Sequence, residues 1–68
     1  MDETEKLDIL LAHWIEHNES HVGTYKEWAE KLKGGGRAEI GGKIEEAVES
    51  ISIANERFKE AKEMLKVK

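Results

Sequence analysis

The chain has 68 residues without cysteine or proline, and 15 acidic side chains against 11 basic ones give it a net charge of −4. This composition excludes disulfides, thiolate metal sites and a surface that coats nucleic acid or an anionic membrane. No apolar run reaches the roughly 20 residues of a membrane span, and the acidic start Met1-Asp2-Glu3 is unlike a signal peptide, so we expect a cytoplasmic protein. A domain near this size buries only about 60% of its unfolded surface, which favours support from a partner chain or a metal.

Two stretches of apolar residues follow the heptad spacing of paired helices. Gly34-Gly35-Gly36 lies between them and supplies a turn, because glycine reaches positive φ without strain. The sequence therefore predicts an all-α, antiparallel two-helix hairpin in a single domain, 1–68, with helices over about 3–33 and 38–66. The predicted contact stripes are Leu7, Leu11, Trp14, Asn18, His21, Tyr25, Trp28 and Leu32, then Ile40, Ile44, Ala47, Ile51, Ala54, Phe58, Ala61 and Leu65.

Glycines inside the predicted helices leave an alternative open. Gly23 could end a helix, and Thr24 with Glu27 has the spacing of a capping box for a new one, which would give a three-helix bundle. The apolar stripe keeps its phase across Gly23, which favours one continuous helix. Gly41 and Gly42 leave the first turn of the second helix open, because each costs about 1 kcal/mol in a helix interior.

Apolar residues outside the two stripes predict a second layer of helices. If the turn centres near Gly36, residues whose numbers sum to about 72 lie at the same level, which places Trp14 opposite Phe58. Because one hairpin leaves its flanks in water, we expect two hairpins to pair as a homodimeric four-helix bundle. The flanking apolar residues are Leu10, Ile15, Val22, Ala29, Val48, Ile53 and Met64.

A cluster of histidines and asparagines carries the chemistry of the sequence. His13, His17 and His21 recur every fourth residue with Asn18 among them, and Asn55 falls at the level of His17 and Asn18. One interpretation is a polar His/Asn layer that fixes register and oligomeric state. Another is a pH-sensitive switch, because protonation below about pH 6.5 would place charge in a buried histidine layer.

The third interpretation of this cluster is a divalent metal site. Histidines at i and i+4 project from the same helix face, so His17 and His21 are the predicted ligands, with His13 as an outer ligand. Without cysteine, the candidates are zinc, nickel or iron held by nitrogen and oxygen. The further ligands would come from a second protomer or from Asn55, Glu56 or Glu16.

Three segments of the chain resemble a known family. The run 13–21 reads H-W-I-E-H-N-E-S-H, 25–29 reads Y-K-E-W-A, and Ala54-Asn55-Glu56 follows later. Together they resemble a small uncharacterised helical domain of archaea and anaerobic bacteria with an H-W-x-x-H-N-x-x-H segment, an aromatic-x-x-W-A segment and an A-N-E segment. The resemblance implies a helical hairpin with a His/Asn layer. Some members look fused to a nickel-binding accessory protein of carbon monoxide dehydrogenase maturation. The resemblance therefore implies an association with metal handling, and it does not specify an activity.

These patterns favour a small dimeric accessory or interaction module that binds a divalent metal and a protein partner. A purely structural dimerisation module is the alternative. We expect no enzyme: residues 13–17 match the H-x-x-E-H pattern of inverted zinc proteases, but 68 helical residues offer neither their further ligands nor a cleft.

Overall fold

The computed structural model describes residues 2–66 as two long helices packed antiparallel. Helix α1 spans Glu3–Gly34 and helix α2 spans Ala38–Met64. The predicted all-α hairpin is confirmed, with each described helix end within two residues of its predicted position. Helix α1 continues through Gly23, so the three-helix alternative does not form. Within residues 2–66, neither helix has an apolar stretch long enough to cross a bilayer.

Local hydrogen bonds fix the start of α1 and the turn. The Asp2 carboxylate accepts a bond of 2.9 Å from the backbone N–H of Glu5, which satisfies one of the free donors of the first turn. After α1, the N–H of Arg37 donates to the Leu32 carbonyl at 2.8 Å, the long-range bond of a Schellman motif. Gly36 has a φ of 82° there, so the predicted glycine turn depends on this one residue.

The helices contact each other along stripes that differ from the predicted ones at every second position. Asn18, for example, lies in the contact stripe as predicted, but Ile15 replaces Trp14 and Val22 replaces His21. The prediction was therefore wrong for Leu7, His21, Trp28, Ile40, Ala47 and Ala54, which are exposed on the hairpin. Trp14 contacts Phe58 from the edge of the stripe, and Ala61 is half-buried. The observed stripes run through Asp8, Leu11, Ile15, Asn18, Val22, Tyr25, Ala29 and Leu32, and through Gly41, Ile44, Val48, Ile51, Asn55, Phe58, Lys62 and Leu65.

Close approach of the two backbones explains this rotation. Ala29 is only 1% exposed, and a Cβ atom added to Gly41 would stand 2.8 Å from the Ala29 carbonyl oxygen. Small residues at both positions let the helices touch. The Trp28 indole would hold the helices apart if it lay in the seam, by which we mean the surface where the two contact stripes meet. The core that results is thin: among the described residues, the buried apolar side chains are Leu11, Ala29 and Val48.

Candidate functional site

The two flanks of the hairpin differ in chemistry. One flank, which we call the charged flank, is crossed by ion pairs that join the helices. Lys59 lies 3.4 Å from Glu19, and Lys62 lies 3.1 Å from Asp8. Lys33 of α1 forms a third ion pair of this kind with Glu45 of α2. The charged side chains that line this flank therefore already have partners within the chain.

The opposite flank is apolar and aromatic. The Trp14 ring contacts Phe58 with 5.9 Å between centroids, which confirms the predicted level of this pair, but its other face is open to water. Trp28 is 54% exposed, and the Lys31 ammonium lies 4.9 Å from its ring centroid. We define the apolar flank by Leu7, Leu10, Trp14, His17, His21, Thr24 and Trp28 of α1 and by Ile40, Ala47 and Ala54 of α2.

A pair of histidines lies in the middle of the apolar flank. The Nε2 atoms of His17 and His21 are 3.0 Å apart, and their rings meet edge to face with centroids 4.4 Å apart. His13 stacks on His17 at 6.2 Å and Tyr25 stacks on His21 at 5.6 Å, so an aromatic ring flanks each side of the pair. All three histidines are exposed, so the surface and not the seam carries them.

The asparagines form the buried polar layer without the histidines. Asn18 Nδ2 donates to Asn55 Oδ1 at 3.0 Å, and Asn55 Nδ2 donates to the Ile15 carbonyl at 3.1 Å. Asn55 is 5% exposed, so these bonds replace water for its amide. Within one hairpin the buried layer therefore consists of Asn18 and Asn55, and the rotation of the seam leaves His17 and His21 on the surface.

The histidine pair is the part of the chain suited to hold a metal. Among residues 2–66, no three His, Asp or Glu side chains converge on one point. Asn55 is bonded inside the seam, and Glu56 lies 3.6 Å from Lys59 at the charged flank. Glu16 lines a shallow surface hollow with His13, His17 and Ser20. One hairpin therefore supplies two converging nitrogens, and further ligands must come from outside it.

Comparison with known proteins finds relatives along nearly the whole chain. Residues 7–65 match the family described as Domain of unknown function (DUF8180). An uncharacterized protein of Archaeoglobus fulgidus is 38% identical over 61 residues, which cover 90% of this chain and 97% of that protein. No solved structure matches the chain. The family match takes in the turn, the Asn layer and both flanks.

Proposed function

We propose that this chain, which belongs to the DUF8180 family of domains of unknown function, is a self-associating helical module that pairs through its apolar flank. The observation that carries the proposal is the exposure of Trp14, Trp28 and Leu10 on a hairpin with so thin a core. Exposed apolar patches of this kind mark interaction surfaces in small proteins. The charged flank has its ion pairs within the chain, so the apolar flank is the surface left to pair.

The size of the apolar flank suits a second copy of the chain. The hairpin measures 52 Å by 16 Å across the plane of its two helices. A face of these dimensions offers an area near the about 800 Å² that each partner buries in a stable interface. Two such hairpins would stack face to face as a four-helix bundle and cover each other's tryptophans.

The apolar stripe of α1 is also self-complementary. Apart from Leu7, its positions pair symmetrically about residue 19, close to the middle of Glu3–Gly34. A second α1 running antiparallel would place Leu10 opposite Trp28 and Trp14 opposite Thr24, with large residues against smaller ones. On α2 the level of residue 19 falls at Ala54, so Ala54 would face its own copy and Ala47 would face Ala61 of the second copy, which lets those helices approach closely. A two-fold axis is thus compatible with both layers.

Within the cell, such a module would act as an accessory unit and not as a catalyst. The resemblance to a domain that looks fused to a nickel-binding accessory protein supports a cytoplasmic role beside a larger protein partner. Self-association through the apolar flank would then leave the outer face of α2, which carries the exposed Ile53, free for that partner.

Sedimentation equilibrium of the full chain tests the proposal. We expect twice the chain mass, and a urea midpoint that rises with protein concentration because folding and association are linked. Trp28→Glu should give a monomer or a concentration-independent, weakly helical chain by circular dichroism. Ile53→Glu is the matched control, because Ile53 is 58% exposed on the back of α2, away from both flanks. A monomeric wild-type chain, or equal effects of both variants, would overturn the proposal.

A purely structural dimerisation module is the second candidate, and the observation that favours it is that the buried polar layer of Asn18 and Asn55 is hydrogen-bonded without the histidines. A buried amide pair admits few registers, because a shifted helix leaves both amides without partners. Under this candidate the histidines have no ligand. His17→Gln with His21→Gln would then leave the chain dimeric, and a metal titration of the wild type would show no binding.

A further inference from the structure

We propose that His17 and His21 form one half of a divalent metal site, and that a second copy of the chain supplies the other half. The site would hold a single ion between four imidazole nitrogens. It depends on the proposed self-association, because residues 2–66 of one hairpin offer only two imidazole nitrogens close enough to share an ion.

The geometry of the pair suits a shared ion. A metal at about 2.0–2.1 Å from each Nε2 atom, with the nitrogens 3.0 Å apart, would subtend an angle of about 94°. This value lies between the right angle of an octahedron and the wider angle of a tetrahedron, so a small ring rotation reaches either. Without metal, the same separation fits an Nε2–H···Nε2 hydrogen bond in which one ring is the donor. An ion would take the place of that proton, which would move to Nδ1 of the same ring, so that both imidazoles bind through Nε2 and stay neutral.

The position of the pair explains why a second copy would complete it. His17 and His21 lie two residues on either side of residue 19, the centre of the α1 stripe. Antiparallel pairing about that centre brings His17 of one copy opposite His21 of the other, twice. Four nitrogens then surround one point on the two-fold axis. The apolar ends of the stripe close over the site from both directions, which limits access of water to the ion.

Neighbouring rings would hold the ligands in place. His13 lies nearly parallel to His17, at an interplanar angle of 17°, and Tyr25 lies nearly parallel to His21, at 13°. Such stacking restricts rotation of both ligand rings, so less entropy is lost on binding. His13 would therefore support the site through His17 without being a ligand itself.

The ligand set selects the class of ion. Neutral imidazoles bind Zn²⁺, Ni²⁺ and Co²⁺, whereas Mg²⁺ and Ca²⁺ require oxygen ligands. The pair is also free of thiolates, since the chain has no cysteine. Four imidazoles without a carboxylate leave the bound ion with its full positive charge, which would offset part of the net charge of two acidic chains.

Isothermal titration of the full chain with Zn²⁺, Ni²⁺ and Mg²⁺ tests the site. We expect one Zn²⁺ or Ni²⁺ per two chains and no heat from Mg²⁺. His17→Gln and His21→Gln should each abolish binding, while His13→Gln, the matched control on the same helix, should retain it. Co²⁺ should give visible d–d bands whose intensity reports the coordination geometry, and both ligand variants should lose them.

Sedimentation equilibrium in EDTA, run in parallel, separates the two proposals. A dimer that binds no Zn²⁺, Ni²⁺ or Co²⁺ would overturn the metal site and leave self-association intact. One ion per chain would overturn the shared site, because the second copy would then contribute no ligand. A monomer both with and without metal would overturn self-association and the shared site together.

Discussion

Gly41 lies directly against Ala29, so closely that a Cβ atom at position 41 would stand 2.8 Å from the Ala29 carbonyl oxygen and 3.0 Å from Cγ of Lys33. This contact sets the spacing of the helices next to the turn. It also determines which face of each helix can enter the seam, because only small residues fit where the backbones touch. The outward direction of Trp28, and with it the apolar flank, follows from this contact.

Replacing Gly41 tests that relationship. Alanine normally favours a helix over glycine by about 1 kcal/mol, but Gly41→Ala must push against a backbone carbonyl that cannot rotate away. We expect a net loss of about 1–3 kcal/mol in the free energy of unfolding, measured by urea denaturation. Gly42→Ala is the matched control, because a Cβ atom there meets nothing within 4 Å and should stabilise the chain. Stabilisation by both variants would contradict the close contact.

The hairpin and its register followed from sequence because they depend on long-range patterns. The glycine turn and the heptad spacing fixed which residues share a level, as the contact of Trp14 with Phe58 shows. The rotation of the helices did not follow, because two heptad stripes share every second residue and both are largely apolar. The size of Trp28 beside Ala29 was the available signal, since an indole cannot enter a seam in which backbones touch.

The candidate site shows the same division. Asn18 and Asn55 were expected at one level, and the structure joins them by a hydrogen bond. The histidines were expected in that layer, but every second contact position lies one residue later than expected, so within one hairpin His17 and His21 lie on the surface. The spacing of four residues between the histidines predicted that their rings would lie close together, whereas the exposure of the rings depends on how the helix is rotated. An interhelical contact, and not a local pattern, decides that rotation.

Gly23 offers a test of helix continuity. The residue lies in the interior of α1, and a Cβ atom there meets nothing within 4 Å. Gly23→Ala should therefore raise the free energy of unfolding by about 0.5–1 kcal/mol, because the unfolded chain loses freedom and no contact is strained. Thermal and urea denaturation followed by circular dichroism would measure the change.

Gly36→Ala is the opposing control for that experiment. Its φ of 82° is left-handed, so alanine there should destabilise the chain by about 1–2 kcal/mol. If Gly23→Ala were destabilising as well, α1 would be broken at Gly23 in solution.

The buried asparagine pair can be dissected by a double-mutant cycle. Asn18→Leu removes the donor to Asn55 Oδ1 and leaves that buried oxygen unpaired, which should cost about 1–3 kcal/mol. Adding Asn55→Leu replaces the orphaned amide by an apolar side chain and should recover most of the loss. Urea denaturation of the four chains gives the coupling energy between the two positions.

The oligomeric state is the second measurement in this cycle. Both asparagines belong to the seam of a single hairpin, so sedimentation equilibrium should give the same mass for all four chains. A change of mass with Asn18→Leu alone would mean that the pair controls association between copies and not register within one hairpin.

Cysteine pairs can test the proposed two-fold axis directly, because the natural chain has no cysteine. Antiparallel pairing about residue 19 places position 14 of one copy opposite position 24 of the other. An equimolar mixture of Trp14→Cys and Thr24→Cys chains should therefore oxidise to a covalent heterodimer, seen on a non-reducing gel. Each variant alone is the matched control: its two cysteines would lie ten residues apart along the bundle, about 15 Å, which is beyond the reach of a disulfide. If α1 instead packed on α2 of the second copy, neither the mixture nor the single variants would cross-link, and the four-histidine site would have no geometric basis. Equal cross-linking of the mixture and the single variants would indicate random collision, and would contradict a defined axis.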